Sequence, residues 1–140
     1  MAETLRVGIA GLGTVGAETF RILSERKDIL LSRSGKKIEV VAVSSQDRHM
    51  DRGIDLSGVE WVDDARKLCL MPNVDVVVEL IGGAEGIAKD IAEATVKNNK
   101  YFVTANKALI AHYGDEIGKN AEKNDVSIGF EAAVAGGIPI

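Results

Sequence analysis

The chain alternates short apolar runs with longer stretches whose apolar residues recur every three or four positions. Residues 5–10 (LRVGIA), 38–44 (IEVVAVS), 75–81 (DVVVELI) and 101–105 (YFVTA) read as strands. The run 75–81 is almost continuously apolar, as expected of a parallel strand covered on both faces. A short extended piece at 59–61 and a last strand at 126–130 complete the strand set. A helix follows residue 16, with Val15, Thr19, Ile22 and Leu23 spaced to share one face, and residues 32–35 (SRSG) break it. Residues 46–58 are polar and glycine-bearing, which predicts a loop. One or two helical turns over 63–70 end at Pro72. A helix over 85–98 would turn Ile87, Ile91 and Ala94 inward. Asn106 suits an N-cap, and 115–124 forms one more helix.

Strands alternating with helices imply a parallel sheet wound by right-handed crossovers. The predicted class is α/β: a Rossmann-type doubly wound, mainly parallel sheet with helices on both faces, residues 1–140 forming one dinucleotide-binding domain. Such sheets bind ligands outside the carboxyl ends of their strands. The positions to inspect are therefore 11–16, 44–48, 81–84, 104–107 and 130 onward.

Composition narrows the function classes. At 140 residues the chain is long enough to bury a core without disulfides. Its net charge of -4 argues against nucleic-acid or anionic-membrane partners, which favour basic surfaces. No apolar run approaches the roughly 20 residues that span a bilayer, and the N-terminal residues lack the basic-then-apolar order of a secretory signal. The single cysteine, Cys69, lies between two leucines and predicts a buried, inert thiol. These features together predict a cytoplasmic protein. His49 and His112 stand far apart without ligands at metal spacing, so transition-metal chemistry is not expected.

The glycine turn Gly11-Leu12-Gly13-Thr14-Val15-Gly16 is G-x-G-x-x-G. Alone the motif is weak; between a short apolar strand and an amphipathic helix it is strong. The first glycine permits the tight turn, the second the approach of a pyrophosphate, the third close helix–strand packing. Unpaired N–H groups at the helix start then face the phosphates. The next strand ends at Ser44-Ser45-Gln46, and the first carboxylate, Asp47, comes late and is followed by Arg48. An NAD site usually has a carboxylate at the strand end for the ribose 2′-hydroxyl. Hydroxyls with Arg48 suit a 2′-phosphate, which leans toward NADP. The competing reading makes Asp47 and Arg48 solvated loop charges.

Lys107 follows a buried strand close to a helix start, where the helix dipole gives a cation nothing. A lysine held in such a crevice points to an anionic substrate or to proton transfer; the bland alternative is a surface lysine. Residues 130–140 (FEAAVAGGIPI) are too glycine-rich for a helix interior and too apolar for a solvent loop. Glu131 with free carbonyls around Gly136 and Gly137 offers oxygen ligands to a hard cation, and a packed interdomain loop is the alternative.

Three stretches in this order, GLGTVG, VTANKALIA and FEAAVAGGIPI, closely resemble the N-terminal domain of homoserine dehydrogenases, and VELIGG and RGIDLSGVEW are similar too. The resemblance implies reversible hydride transfer between NAD(P)H and aspartate 4-semialdehyde, giving homoserine, on the route to threonine, methionine and isoleucine. It implies cofactor contacts from Gly11, Gly13, Thr14, Val15 and Gly16, with Ile81 and Gly82 on the nicotinamide side. Lys107 would touch cofactor and substrate. Glu131, Val134, Gly136 and Ile138 would hold a monovalent cation, sodium, through one side chain and backbone carbonyls. Family members continue into a substrate and dimerisation domain with a second lysine, the usual proton donor. The full-length enzyme is therefore expected to be a homo-oligomer, and this piece alone to have little or no turnover. A stand-alone redox-sensing nucleotide module explains the glycine turn but not Lys107. Another semialdehyde or amino-acid dehydrogenase is the third reading.

Overall fold

A computed structural model describes residues 2–135. Six strands form one sheet: β1 (Thr4–Ala10), β2 (Lys37–Ser44), β3 (Glu60–Trp61), β4 (Val76–Glu79), β5 (Tyr101–Thr104) and β6 (Ile128–Gly129). Every pairing is parallel, and the order is β3-β2-β1-β4-β5-β6. The chain thus winds outward from β1 in one direction, then returns and winds outward from β4 in the other. The reversal leaves a crevice beyond the carboxyl ends of β1 and β4, where a doubly wound sheet binds its ligand.

Each face of the sheet is covered. On one, α1 (Thr14–Glu25) packs Phe20 with Leu12 against Val7, Ile9, Val43, Val76 and Val78. On the other, a 3-10 helix (Ala65–Leu70), α3 (Ile87–Lys97) and α4 (Lys107–Lys123) enclose Leu68, Ile91, Val96, Phe102 and Leu109. Cys69 is fully buried in this layer, as expected. All four residues of β4 are buried, which accounts for its nearly continuous apolar run.

Several element-level expectations are corrected. The first helix does not bury Val15 and Ile22, which are 57% and 42% exposed. Its buried residues are Gly16 and Phe20, with Leu23 against the same layer. The phase is set by Gly16, whose missing side chain lets the helix press on the glycine turn. A second helix, α2 (Lys27–Ser34), follows a break at Arg26 and buries nothing, so the amphipathic stripe has no reason to run on. Gly35 ends α2 in the left-handed conformation.

In α3 the inward residues are Ala88, Ile91, Ala92, Thr95 and Val96, while Ile87 stands exposed at the helix start. The helix expected over 115–124 begins much earlier, at Lys107, because Asn106 caps it directly. The segment read as too glycine-rich for helix opens with one, α5 (Glu131–Ala135); its glycines come only afterwards. Among the described residues, no helix is long and apolar enough to cross a membrane.

Candidate functional site

The glycine turn joins β1 to α1, and its three glycines do different work. Gly11 adopts φ of +101°, and a Cβ there would lie 2.8 Å from the Leu80 carbonyl group. Its amide donates to the Ser44 carbonyl at 2.8 Å, tying the turn to the end of β2. A Cβ on Gly16 would fall 1.8 Å from the Gly11 carbonyl oxygen, so only glycine lets α1 sit this close. Gly13 is the opposite case: a Cβ there meets nothing within 4 Å. Neither fold nor turn needs glycine at 13, and the open space above it is where a ligand backbone would pass.

Gly13 is also the N-cap of α1, with no side-chain cap and no acidic residue in the first turn. The helix start therefore offers amide hydrogens and a positive dipole end with nothing anionic nearby on the helix. A cavity of about 370 Å³ opens in front of it. Gly11, Leu12 and Gly13 form one wall; Ser44, Ser45 and Gln46 another. Asp47, Met50 and Arg52 close it from the loop, Ile81 from the turn after β4 and Ile87 from the start of α3. The outward position of Ile87 thus has a use: it faces the cavity, not the core.

Arg52 was not foreseen. Its Nε donates to the Leu12 carbonyl at 2.9 Å, Nη1 to the Met50 carbonyl at 3.2 Å and Nη2 to Ser45 Oγ at 3.3 Å. Its guanidinium carbon lies 5.6 Å from the centroid of the Trp61 ring, within cation–π reach. Arg48, the arginine singled out from the sequence, is exposed and does not line the cavity. The signal for Arg52 lay in the Arg-Gly step and in Trp61 nine residues on, but only the loop path brings them together.

A second cavity of about 160 Å³ meets the first at Ile81. Val15, exposed on α1, forms one side of it, and Gly82, Ala105 and Asn106 another. At its floor is Glu79, a carboxylate with no solvent exposure. Glu79 Oε1 accepts from the amides of Ile81 at 2.7 Å and Gly82 at 3.1 Å, and Oε2 from the Thr104 hydroxyl at 2.7 Å. Thr104 Oγ1 accepts in turn from the Asn106 amide at 2.9 Å. The Asn106 side chain caps α4 through the Leu109 amide at 3.0 Å and donates to the Gly83 carbonyl. Lys107, exposed, is the first residue of α4 just beyond this network.

The structure thus brings Gly11, Gly13, Ser44 and Ile81 together around the larger cavity, and Val15, Ile81 and Gly82 around the smaller one. Thr14 and Gly16 belong to the first turn of α1. Of the four residues expected to hold a cation, Glu131 is exposed at the head of α5 and Val134 belongs to that helix. Gly136 and Ile138 lie outside the described residues. Among the described residues no cluster of three or more His, Cys, Asp or Glu side chains is placed to hold a metal ion.

A family model described as the homoserine dehydrogenase NAD-binding domain matches residues 11–131. A homoserine dehydrogenase of Pseudomonas aeruginosa is 42% identical over 138 residues, covering 99% of this chain and 31% of that protein. The crystal structure of a homoserine dehydrogenase from Thiobacillus denitrificans aligns with a TM-score of 0.89 and 38% identity, over 99% of this chain and 32% of that one. A hyperthermophilic archaeal homoserine dehydrogenase in complex with NADPH is alike in fold, with a TM-score of 0.74 and 22% identity over 94% of this chain and 44% of that one. The chain spans under a third of the length of the Pseudomonas relative.

Proposed function

The chain belongs to the homoserine dehydrogenase family, as its NAD-binding domain, and from that premise we propose that the two joined cavities hold a nicotinamide dinucleotide, NADP in preference to NAD, for the interconversion of aspartate 4-semialdehyde and homoserine. The observation that carries the reading is the empty space over Gly13 at an uncapped, acid-free helix start. The residues fit the group: Gly13, Thr14 and Val15 would bind the pyrophosphate through backbone amides. Ser44 and Ser45 at the end of β2 and the Arg52 guanidinium would face the adenosine ribose. The preference for NADP rests on that arginine and on the absence of a carboxylate at the end of β2 itself.

When bound, the cofactor supplies a hydride donor or acceptor. What the chain contributes is placement and exclusion of water. Val15, Ile81 and Ala105 would screen the nicotinamide side from solvent, and Gly82 leaves room beside it. Lys107, heading α4, would hold an anionic substrate group or the carbonyl oxygen of the semialdehyde against the ring. Near-attack geometry of this kind accounts for much of the barrier reduction in a two-reactant step. The same proposal carries the monovalent cation, sodium, with Glu131 giving a carboxylate and Val134, Gly136 and Ile138 giving carbonyl oxygens. Placement in threonine, methionine and isoleucine biosynthesis, and a homo-oligomer for the longer protein, follow from the family. A stand-alone redox-sensing module, or another dehydrogenase, is not favoured, because the family match runs over residues 11–131, from the glycine turn past Lys107.

The test is calorimetric titration with NADPH and NADH side by side. Binding of either, weakened roughly 100-fold in Gly13→Asp, supports the dinucleotide site, and tighter NADPH binding supports the preference. A folded chain that binds neither overturns the reading.

A further inference from the structure

Glu79 is a fully buried carboxylate in a strand whose other residues are all valine. No ion pair among the described residues involves it, so its oxygens are met by hydrogen bonds alone. Burying an ionised group is costly unless it is well bonded, and a valine at this position would pack without that cost. Stability therefore gives no reason for a carboxylate here. Its geometry gives one.

The three donors it accepts from belong to two different elements. Two are the amides of Ile81 and Gly82, in the turn that leaves β4. The third is the Thr104 hydroxyl at the end of β5, and Thr104 in turn receives the amide of Asn106, the cap of α4. Asn106 closes the circuit by donating to Gly83, next in the same turn. Gly82 and Gly83 both have positive φ, +92° and +78°, and a Cβ at either meets nothing within 4 Å. No side chain packs at these two glycines. Hydrogen bonds tie this part of the turn to its surroundings, and Glu79 accepts two of them.

Resting on the dinucleotide reading above, we propose that Glu79 is a positioning residue that sets the nicotinamide-side turn and the start of α4 in one fixed relation. The carboxylate acts as a two-sided clamp: one oxygen for the turn, one for β5 and the helix cap. The adenine half of the cofactor would lie against Ser44, Ser45 and Arg52 around the larger cavity, so the clamp would govern only the nicotinamide half. That restriction separates it from a general structural role, which would loosen both halves together.

The experiment titrates each cofactor against its own adenine half, NADPH with 2′,5′-ADP and NADH with ADP, on the parent chain, Glu79→Leu, Glu79→Gln and Thr104→Val. In Glu79→Leu the two turn amides lose their acceptor, and whole-cofactor affinity is expected to fall roughly tenfold or more with the adenine-half affinity unchanged. Glu79→Gln keeps an acceptor oxygen for the amides and should retain most of the affinity. Thr104→Val is near-isosteric and cuts only the second arm; it should give the same selective loss in smaller measure, and it decides the matter if Glu79→Leu does not fold. Equal losses for cofactor and adenine half, or no loss, overturn the proposal and leave the dinucleotide site standing. So does a parent that binds the whole cofactor no tighter than its adenine half. A parent that binds neither overturns the dinucleotide reading, and this proposal falls with it.

Discussion

Arg52 donates from Nε to the carbonyl of Leu12 at 2.9 Å, tying the loop after β2 to the glycine turn forty residues earlier. Two further bonds, to Met50 and Ser45, and the Trp61 ring hold the guanidinium in one place. Three of its five N–H groups are used in this way. A guanidinium fixed before the ligand arrives loses little freedom on binding, which is how a preformed site gains affinity.

From this follows the sharpest prediction about cofactor choice. Arg52→Leu should weaken NADPH binding roughly tenfold or more, since hydrogen bonds to charged groups contribute about 1.5–3 kcal/mol. NADH, lacking the 2′-phosphate, should change much less. Paired calorimetric titrations read the ratio. If both cofactors weaken equally, Arg52 braces the glycine turn and does not choose between them.

The contrast between Arg52 and Arg48 illustrates what a sequence carries. The strand–helix alternation and the glycine turn were legible because each is local: a period of apolar residues, or a turn only glycine can make. The α4 cap at Asn106 was legible for the same reason. The loop 46–58 has no periodicity to fix its path, so which arginine turns inward depends on Leu12, Ser45 and Trp61, distant in sequence and met only in the fold. The role of Glu79 was hidden differently. In a run of valines it reads as the end of a strand, and its partners Thr104 and Asn106 are brought to it only by the pairing of β4 with β5. The phase of α1 was missed because Gly16 counts as nothing on a hydrophobic scale, yet it is the residue that presses on the turn.

Acid should weaken the fold through Asp75, which precedes β4. It accepts from the Arg6 amide at 2.8 Å and from the Arg6 guanidinium at 2.9 and 2.8 Å. These bonds, the side-chain ones first, hold its carboxyl below the ordinary 3.8 against the opposing effect of burial. A folded-state value below the unfolded one means stability that is complete above the unfolded pKa and lost as pH falls through the folded one. Asp75→Asn should therefore be modestly less stable at neutral pH and show a shallower loss between about pH 5 and pH 3. Urea unfolding across that range measures it; parallel curves for parent and variant would remove the pair from the acid response.

Cys69 should be silent to thiol reagents in the folded chain. Burial pushes its thiol above the ordinary 9.0, and the hydrogen bond with Thr95 Oγ1 at 3.2 Å only partly offsets that. Little thiolate exists at neutral pH, and the reagent has no path to it. Modification by an aromatic disulfide reagent should be slower than in urea by a factor on the order of 100 or more, and its rate should follow opening of the fold. Prompt labelling without urea would mean that the layer over the 3-10 helix opens easily.

Two glycines three residues apart should answer to opposite experiments. A Cβ on Gly16 lands 1.8 Å from the Gly11 carbonyl oxygen, so Gly16→Ala must push α1 off the turn. It should cost roughly 2 kcal/mol or more, in line with overpacked cores, and appear as a lowered denaturant midpoint. Gly13 has open space and occupies an N-cap, where aspartate is a preferred residue. Gly13→Asp should leave the midpoint unchanged or slightly raised while cofactor affinity falls by roughly 100-fold, because its carboxylate takes the place of a phosphate and repels the others. If Gly13→Asp instead unfolds the chain and Gly16→Ala does not, the assignment of one glycine to the ligand and the other to packing is reversed.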